Sequence, residues 1–380
     1  MTGRPPVLQI VHGYNAPFFD LANQYAAALD RERCELTTVY LTGAPSRGVQ
    51  DGTQADHVLF LDCRGRDLRG LKLRALARLR RLHRETSFRL VIAHRYKALY
   101  IALLATAGMP TVDVLGVAHA FGVMSGRGRR TLVRMFRHRV HLLGVSNAVA
   151  EDLRKDCPFL PRERIHALPN AVDQLRLLQR QLSREQARRE LGLDPGAFVF
   201  ANVGRYHPDK DQPGLVRAFA RVNARMPEAR LLLIGEGRLR SGLEALVSTL
   251  GLAGRVLVAG AVPEASRYFR AFDVYVSNSD REPFGIVLAE AMAARIPIIS
   301  SDCGGAPEVV GERGLYFHRG DEAGLAERLL AAHGMSCERR FDVGEALYRR
   351  LEQEFSQTAF RRRFCALEPV QALFAEPRGG

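Results

Sequence analysis

The sequence predicts an α/β protein built from two doubly wound layers of similar design. Three observations predict it. Short apolar runs alternate with longer segments along the whole chain, the pattern of a mainly parallel sheet covered by helices. A local unit of apolar run, glycine turn and helix-length segment opens near Val7–Gly13 and recurs at Phe198–Gly204 and Leu231–Gly237. The 380 residues also exceed what one core ordinarily fills, so two domains are expected.

Taken in order, Val7–Val11 is the first strand, His12-Gly13-Tyr14-Asn15 its turn, and about Phe18 to Leu29 a helix. Further strands are expected near 35–41, 57–61, 89–93, 111–117 and 140–145, with helices between them. The segment Asp67 to Glu85 stands apart. Leu68, Leu71, Leu76, Leu79 and Leu82 give it one apolar face, while Arg69, Lys72, Arg74, Arg78, Arg80, Arg81 and Arg84 supply the rest. It reads either as a sheet-covering helix with a solvated basic face or as a helix docking on anionic lipid, where each basic residue adds about 1 kcal/mol. The basic run Arg127–Arg139 is available to the same surface.

Ala118-His119-Ala120-Phe121-Gly122 follows a strand end, and Ser146-Asn147 caps the next helix. The polar stretch 174–196 reads as a connection plus an entry helix. Then come a strand at Phe198–Val203 with the loop Gly204 to Asp211, Leu231–Ile234 with Gly235-Glu236-Gly237, and Val256–Gly260 with Val262-Pro263. Helices from about Glu322 to Ala332 and Glu354 to Phe374 are expected to finish the chain.

The net charge of +14 is unevenly placed. Residues 1–180 carry 28 Lys and Arg against 15 Asp and Glu, a net of +13, and residues 181–380 carry 27 against 26, a net of +1. So lopsided a field suggests an anionic partner for the first half: a membrane surface, a phosphorylated glycan or nucleic acid. There is no Gly-x-Gly-x-x-Gly and no Gly-x-x-x-x-Gly-Lys-Ser/Thr, which argues against a dinucleotide dehydrogenase or a P-loop enzyme. No run approaches the roughly 18 apolar residues of a membrane span, and Met-Thr-Gly-Arg-Pro-Pro has no hydrophobic signal core. The six cysteines are scattered without a Cys-x-x-Cys pair, as expected for reduced thiols in a cytosolic protein.

Residues 278–308 organise the rest. Asp280 or Ser279 is placed to cap a helix that Pro283 enters early. Ile286, Leu288, Ala289, Met292 and Ala293 carry the helical spacing until Pro297 opens the strand Ile298-Ile299. Glu282 precedes this helix and Glu290 lies within it. Taken alone they are a first-turn acid and a solvated one. Phe284-Gly285 between them and Gly304-Gly305 after the next strand favour a ligand site, because glycine lets a ligand approach the backbone closely and ligands gather at strand exits in such sheets. Arg205 and Lys210, around another strand–helix loop, can both point at a diphosphate.

The stretch Glu282-x-Phe284-Gly285 with Glu290, Ala291-Met292-Ala293 and Gly304-Gly305-x-Pro307-Glu308 closely resembles the donor-site signature of retaining glycosyltransferases of family 4. The resemblance implies the GT-B fold: an acceptor-binding, Rossmann-like domain at 1–175, a nucleotide-sugar domain at 176–354, and a 355–380 segment crossing back to the first domain. It implies that Glu282 contacts the donor sugar, that the backbone at Phe284, Gly285 and Ile286 meets sugar or diphosphate, and that Glu290 holds the ribose. Arg205 and Lys210 would bind the diphosphate, the backbone near Val262 the nucleobase, commonly uracil, and His119 the sugar or its departing phosphate. Gly235 matches the second-domain glycine turn, and Gly13 is what remains of a richer first loop. Tyr206 and Asp211 replace the family's commoner Leu and Gly, and Ala171 replaces a Gly. No Asp-x-Asp motif suits a divalent ion, in keeping with the family's metal independence, and no cofactor is expected.

By the same resemblance the protein is expected to be an enzyme transferring a hexose, from a UDP-hexose such as UDP-glucose, to a lipid-linked or phosphorylated glycan such as a lipopolysaccharide core. It would work in the cytoplasm at the inner face of the membrane, held there by its basic half, without nucleic acid. Retention without an obvious carboxylate nucleophile implies front-face transfer, the leaving phosphate helping to deprotonate the acceptor. Two other classes remain: a GT-B epimerase of UDP-sugars, and a basic nucleic-acid-binding protein.

Overall fold

The computed structural model describes residues 3–15 and 18–375. The chain divides into two compact units. One runs to Ala171 and takes back the segment from Gln357 onward; the other is the continuous stretch Val172–Ser356.

The first unit is built on a seven-stranded sheet. Its strands are β1 (Pro6–Val11), β2 (Glu35–Tyr40), β3 (His57–Phe60), β4 (Leu90–His94), β5 (Asp113–Ala118), β6 (Val140–Gly144) and β7 (Ile165–Ala167), in the order β3-β2-β1-β4-β5-β6-β7. All pairings are parallel. The central strands are covered on both faces, so β4 and β6 are buried throughout, as near-continuous apolar runs should be. Gln9 is the polar exception on β1; its amide donates to Ala22 O at 3.2 Å. The direction of the sheet reverses between β1 and β4, and the exits of β1, β4 and β5 lie side by side there.

The second unit holds six parallel strands: β8 (Phe198–Val203), β9 (Ala229–Ile234), β10 (Val256–Gly260), β11 (Val274–Ser277), β12 (Ile298–Ser301) and β13 (Leu315–Phe317), in the order β10-β9-β8-β11-β12-β13. Here the reversal falls between β8 and β11. Asp273, just before β11, accepts from Arg184 at 2.7 Å, from buried Arg188 at 2.8 Å and from Val199 N at 2.8 Å, tying the entry helix Arg184–Glu190 to the sheet. Among the described residues no helix is long and apolar enough to cross a membrane.

Two sequence expectations need correction. The basic helix spans Leu73–Thr86, not 67–85, because Gly70 and Lys72 take left-handed backbone and interrupt it. Leu71 therefore leaves the apolar face and is 66 % exposed, beside Leu73 at 68 %; Leu68, Leu76 and Leu79 are buried. The helix expected at Glu354–Phe374 is two short helices, Gln357–Cys365 and Glu368–Phe374, with Pro369 starting the second. An 18-residue helix, Cys337–Glu354, precedes them and was not read from the sequence. Ser146 does cap its helix, accepting from Val149 N at 3.1 Å.

The returning segment completes the first core. Phe360 and Phe364 lie edge-on against Tyr25 at 5.0 and 5.5 Å, and Tyr25 in turn meets His94 of β4 at 4.9 Å. Replacing Phe360 by Ala should lower the stability of the first unit by about 3–5 kcal/mol, seen in calorimetry as a shift of one transition while that of the second unit stays in place. Movement of both transitions, or of neither, would contradict this arrangement.

Candidate functional site

In the second unit every residue singled out from the sequence, Glu290 apart, lies at or just beyond the carboxyl end of a strand. Arg205 and Lys210 follow β8, Gly235 follows β9, Val262 follows β10, and Glu282 to Ile286 follow β11; Gly304-Gly305 follows β12. Since β8 and β11 flank the reversal, the two loops richest in charge face each other across it.

Lys210 and Glu282 meet there. Lys210 Nζ lies 2.6 Å from Glu282 Oε2 and donates more weakly to Ser279 Oγ at 3.4 Å, while Ser279 Oγ donates to the same carboxylate oxygen at 3.3 Å. Glu282 is only 8 % exposed, and the Lys210 side chain 22 %. Burying a carboxylate so far from water is costly unless it is paired and hydrogen-bonded as this one is. The loop carrying Glu282 is fixed by its backbone. Gly305 N donates to Glu282 O at 2.7 Å, Asp280 N to Asp209 O at 2.9 Å, and Ser279 O accepts from Ser301 Oγ at 2.7 Å and Cys303 Sγ at 2.8 Å. Gly304 is left-handed (φ 57°), and a Cβ on it would collide with Glu282 O.

The helix after Glu282 begins later than the sequence suggests, at Ile286, and ends at Ala293. Neither Ser279 nor Asp280 caps it. Its N-cap is Gly285 at φ 88°, a conformation few other residues hold. Its first N–H groups have no carbonyl within the helix, so the dipole's positive end opens at Gly285–Ile286, shortly after Glu282. The Phe284 side chain is buried and packs edge-on against Phe355 at 5.5 Å, anchoring the turn. Glu290 lies on the second turn of this helix. It keeps part of its surface in solvent, but the surrounding protein removes enough water to push its carboxyl up to about 7.

The β8 and β9 exits interlock. Gly235 and Gly237 have φ 153° and 158°, and a Cβ on either would run into the carbonyl of Gly204 or Tyr206. Tyr206, where the family has Leu, is buried and donates to Leu233 O at 2.8 Å. Asp211, where the family has Gly, adopts the left-handed conformation itself (φ 39°). Its side chain accepts from Gly214 N at 3.1 Å, and Asn278 donates to its Oδ2 at 3.0 Å. Asp209 is turned to His207. The two acids flanking Lys210 thus serve the loop, and among the described residues no three His, Cys, Asp or Glu side chains converge to hold a metal ion. Arg205 stands apart, 74 % exposed, with Asp209 as a distant partner at 3.9 Å.

His119 and Gly13 lie in the first unit. Gly13 follows β1 and packs on Thr42, whose Oγ1 donates to His12 O at 2.6 Å; a Cβ there would come within 2.7 Å of that hydroxyl oxygen. His119, at the exit of β5, stacks on His94, with His94 Nδ1 and His119 Nε2 3.3 Å apart. Burial, aided by Arg95, lowers its pKa to about 4, so it is neutral at pH 7. It also lines a cleft of about 420 Å³ with His12, Lys72, Arg95, Lys97 and Arg129. Sequence reasoning did not find this cleft, nor the supports Ser279, Asn278 and Cys303. Ala171 avoids positive φ, so the absent glycine costs its turn nothing.

Glu290 carries a pH signature of its own. Its folded pKa lies above the unfolded value, so the folded state holds the extra proton and stability falls as pH rises from about 4.5 through about 7. Glu290→Gln should match the wild type near pH 5 and be more stable at pH 8, by at most about 3 kcal/mol. Parallel denaturant midpoints at the two pH values would rule this out.

Comparison with known proteins places this architecture. The model described as "Glycosyl transferases group 1" matches residues 183–348, and "Glycosyltransferase Family 4" matches residues 21–176. A lipopolysaccharide core biosynthesis glycosyltransferase of Rhizobium meliloti is 32 % identical over 177 residues, 45 % of this chain and 50 % of that protein. An N-acetyl-alpha-D-glucosaminyl L-malate synthase of Bacillus anthracis is 28 % identical over 204 residues, 53 % of each chain. Such alignments span about half the length of these relatives. Solved structures match over nearly the whole chain. A Rickettsia africae glycosyltransferase has a TM-score of 0.84 at 15 % identity, covering 99 % of this chain and 100 % of that one. An Anabaena protein in complex with UDP-glucose has a TM-score of 0.77 at 19 % identity, covering 95 % and 98 %. With both sheets and both family matches accounted for, the chain belongs to the group 1 and family 4 glycosyltransferases of GT-B fold.

Proposed function

We propose that the protein is a retaining hexosyltransferase that takes its sugar from a UDP-hexose such as UDP-glucose. The observation that carries this reading is the Lys210–Glu282–Ser279 cluster, placed beside the open N-terminus at Gly285, on whose helix Glu290 lies. The acids, the cation and the glycine turns of the family signature thereby gather at one edge of the sheet. The reading also draws on the Anabaena structures of similar fold, which hold UDP and UDP-glucose.

In this reading Lys210 and Arg205 take up the charge of the departing diphosphate, a role assigned to them rather than to a metal ion. The helix N-terminus at Gly285 assists, being set before reaction begins. Glu282, already held by Lys210, accepts hydrogen bonds from the sugar hydroxyls, and Glu290 accepts from the ribose. The backbone near Val262 meets the base, and His119 contributes a neutral imidazole toward the sugar or its phosphate. The leaving phosphate then receives the acceptor proton on the face it departs from. The acceptor is assigned to the first unit and is an anionic or lipid-linked glycan, with lipopolysaccharide core as the favoured member, in view of that unit's charge and the Rhizobium relative.

Calorimetry should give micromolar binding of UDP and weaker binding of GDP. Each of Glu290→Ala, Lys210→Ala and Arg205→Ala should weaken UDP binding by ~10–100-fold, the scale of one lost charge-assisted hydrogen bond. Failure of the folded protein to bind any nucleoside diphosphate would remove the donor site. UDP-sugar interconversion without acceptor would make it an epimerase.

Work at the inner face of the cytoplasmic membrane is the second part of the proposal. Exposed Leu71 and Leu73 border an apolar groove with Leu76, Ala77, Tyr100 and Leu104, and Arg80 stands at its rim. Arg78 is turned inward to Leu61 O and Arg81 pairs with Glu85, so they are less available to lipid than the sequence suggests. Burying a leucine contributes roughly 1.5–3 kcal/mol. Leu71→Ser with Leu73→Ser should therefore cut sedimentation with anionic vesicles at least tenfold, and unchanged sedimentation would refute the docking surface.

A further inference from the structure

We propose that the cleft at the sheet reversal of the first unit binds a phosphomonoester, the anionic group by which an acceptor is recognised. The inference rests on the acceptor assignment above and adds the residues and the ligand chemistry.

The cleft is assembled from separate segments. His12 comes from the exit of β1, Arg95 and Lys97 from the exit of β4, His119 from the exit of β5, Lys72 from the start of the basic helix, and Arg129 from the helix Arg127–Met135. Its four cations are lined up with no Asp or Glu among the lining residues. Among the described residues, none of the four forms an ion pair with a carboxylate, although neighbouring Arg74 and Arg130 do. Three of them are held instead by neutral groups. Arg95 lies over the Phe18 ring at 4.8 Å, Arg129 over Tyr96 at 4.7 Å and Lys72 over Tyr100 at 4.0 Å. Carbonyls complete the support: Lys72 Nζ donates to Gly70 O and Arg129 to Val123 O, both at 2.8 Å.

Cations fixed in this way keep their charge available, and they repel one another. Burial lowers the pKa of Lys72, and Lys97 lowers it further; burial followed by Arg95 and Lys97 does the same to His12. Both histidines thus stand as neutral hydrogen-bonding groups among charged neighbours. Backbone strain is concentrated here too. Arg95 (φ 72°) and Lys72 (φ 55°) both hold left-handed conformations that are unfavourable for a non-glycine residue. Uncompensated charge and strained backbone in one concavity fit a site completed by an anion.

The chemistry narrows the anion. Two guanidinium forks and two ammonium groups exceed what a single carboxylate can satisfy, whereas a phosphomonoester offers about two charges and three acceptor oxygens. A volume of about 420 Å³ suits one phosphorylated sugar residue rather than a polymer lying across the surface.

The test is calorimetry of the full chain with glucose 6-phosphate, with glucose, and with vesicles containing phosphatidic acid. Arg95→Gln/Lys97→Gln is the variant, and UDP binding is measured in every sample. The expected result is saturable binding of the phosphate but not of glucose, weakened at least tenfold in the variant while UDP affinity is unchanged. Binding only to the vesicles, lost in the variant, also supports the site and assigns the phosphate to a lipid. Equal binding by wild type and variant, equal binding of glucose, or no binding of either phosphate source would overturn it. Loss of UDP binding in the wild type would instead strike at the donor reading and leave this result standing. Because four like charges repel, the folded variant should also melt no lower than wild type without phosphate; a large drop would assign Arg95 and Lys97 to the fold instead.

Discussion

Among the described residues all eleven strand pairings are parallel, and that constraint shapes everything else in the molecule. A parallel sheet sends every strand out at the same edge, so every turn into a helix collects there. Where the winding direction reverses, two adjacent turns lead to helices on opposite faces and leave a crevice between them. Each unit has one such place, β1/β4 in the first and β8/β11 in the second. The Lys210–Glu282 pair and the basic cleft occupy these two places.

The clusters solve the problem of buried charge differently. In the second unit Lys210 neutralises Glu282, and Asn278 and Ser279 are already engaged by Asp211 and Glu282. A substrate entering there must share in an existing network. In the first unit, among the described residues, Lys72, Arg95 and Arg129 lie over ring faces and form no ion pair, and His12 and His119 are kept neutral beside them. One crevice is balanced before a ligand arrives, whereas the other is unbalanced.

The parts readable from the sequence are those in which residue identity and spacing are themselves the chemistry. Strand positions followed from apolar runs, and Gly285 stood out as a place where a ligand can approach the backbone, although its φ of 88° was not foreseen. The start of the following helix was misplaced, because Asp280 resembles a cap in sequence while the helix begins only at Ile286, with left-handed Gly285 as its N-cap. The helix Cys337–Glu354 escaped notice because its buried positions, among them Val343, Leu347 and Leu351, are thinly spaced in a charged stretch. The basic cleft was illegible for a deeper reason. Its members carry no common motif, and only the strand order brings residues 12, 72, 95, 97, 119 and 129 together.

The first unit is interrupted: Phe360, Phe364, Val370 and Leu373, all buried, come from the far end of the chain. During synthesis its sheet emerges first but waits for its last helices until about half the chain has followed. The continuous unit, Val172–Ser356, has all its strands before then. The half made first is thus the half finished last, and Tyr25 lacks the Phe360 and Phe364 rings that cover it until then. A break near the boundary at Ala171 would therefore not separate the two units cleanly, since one fragment would carry the second unit together with the missing piece of the first.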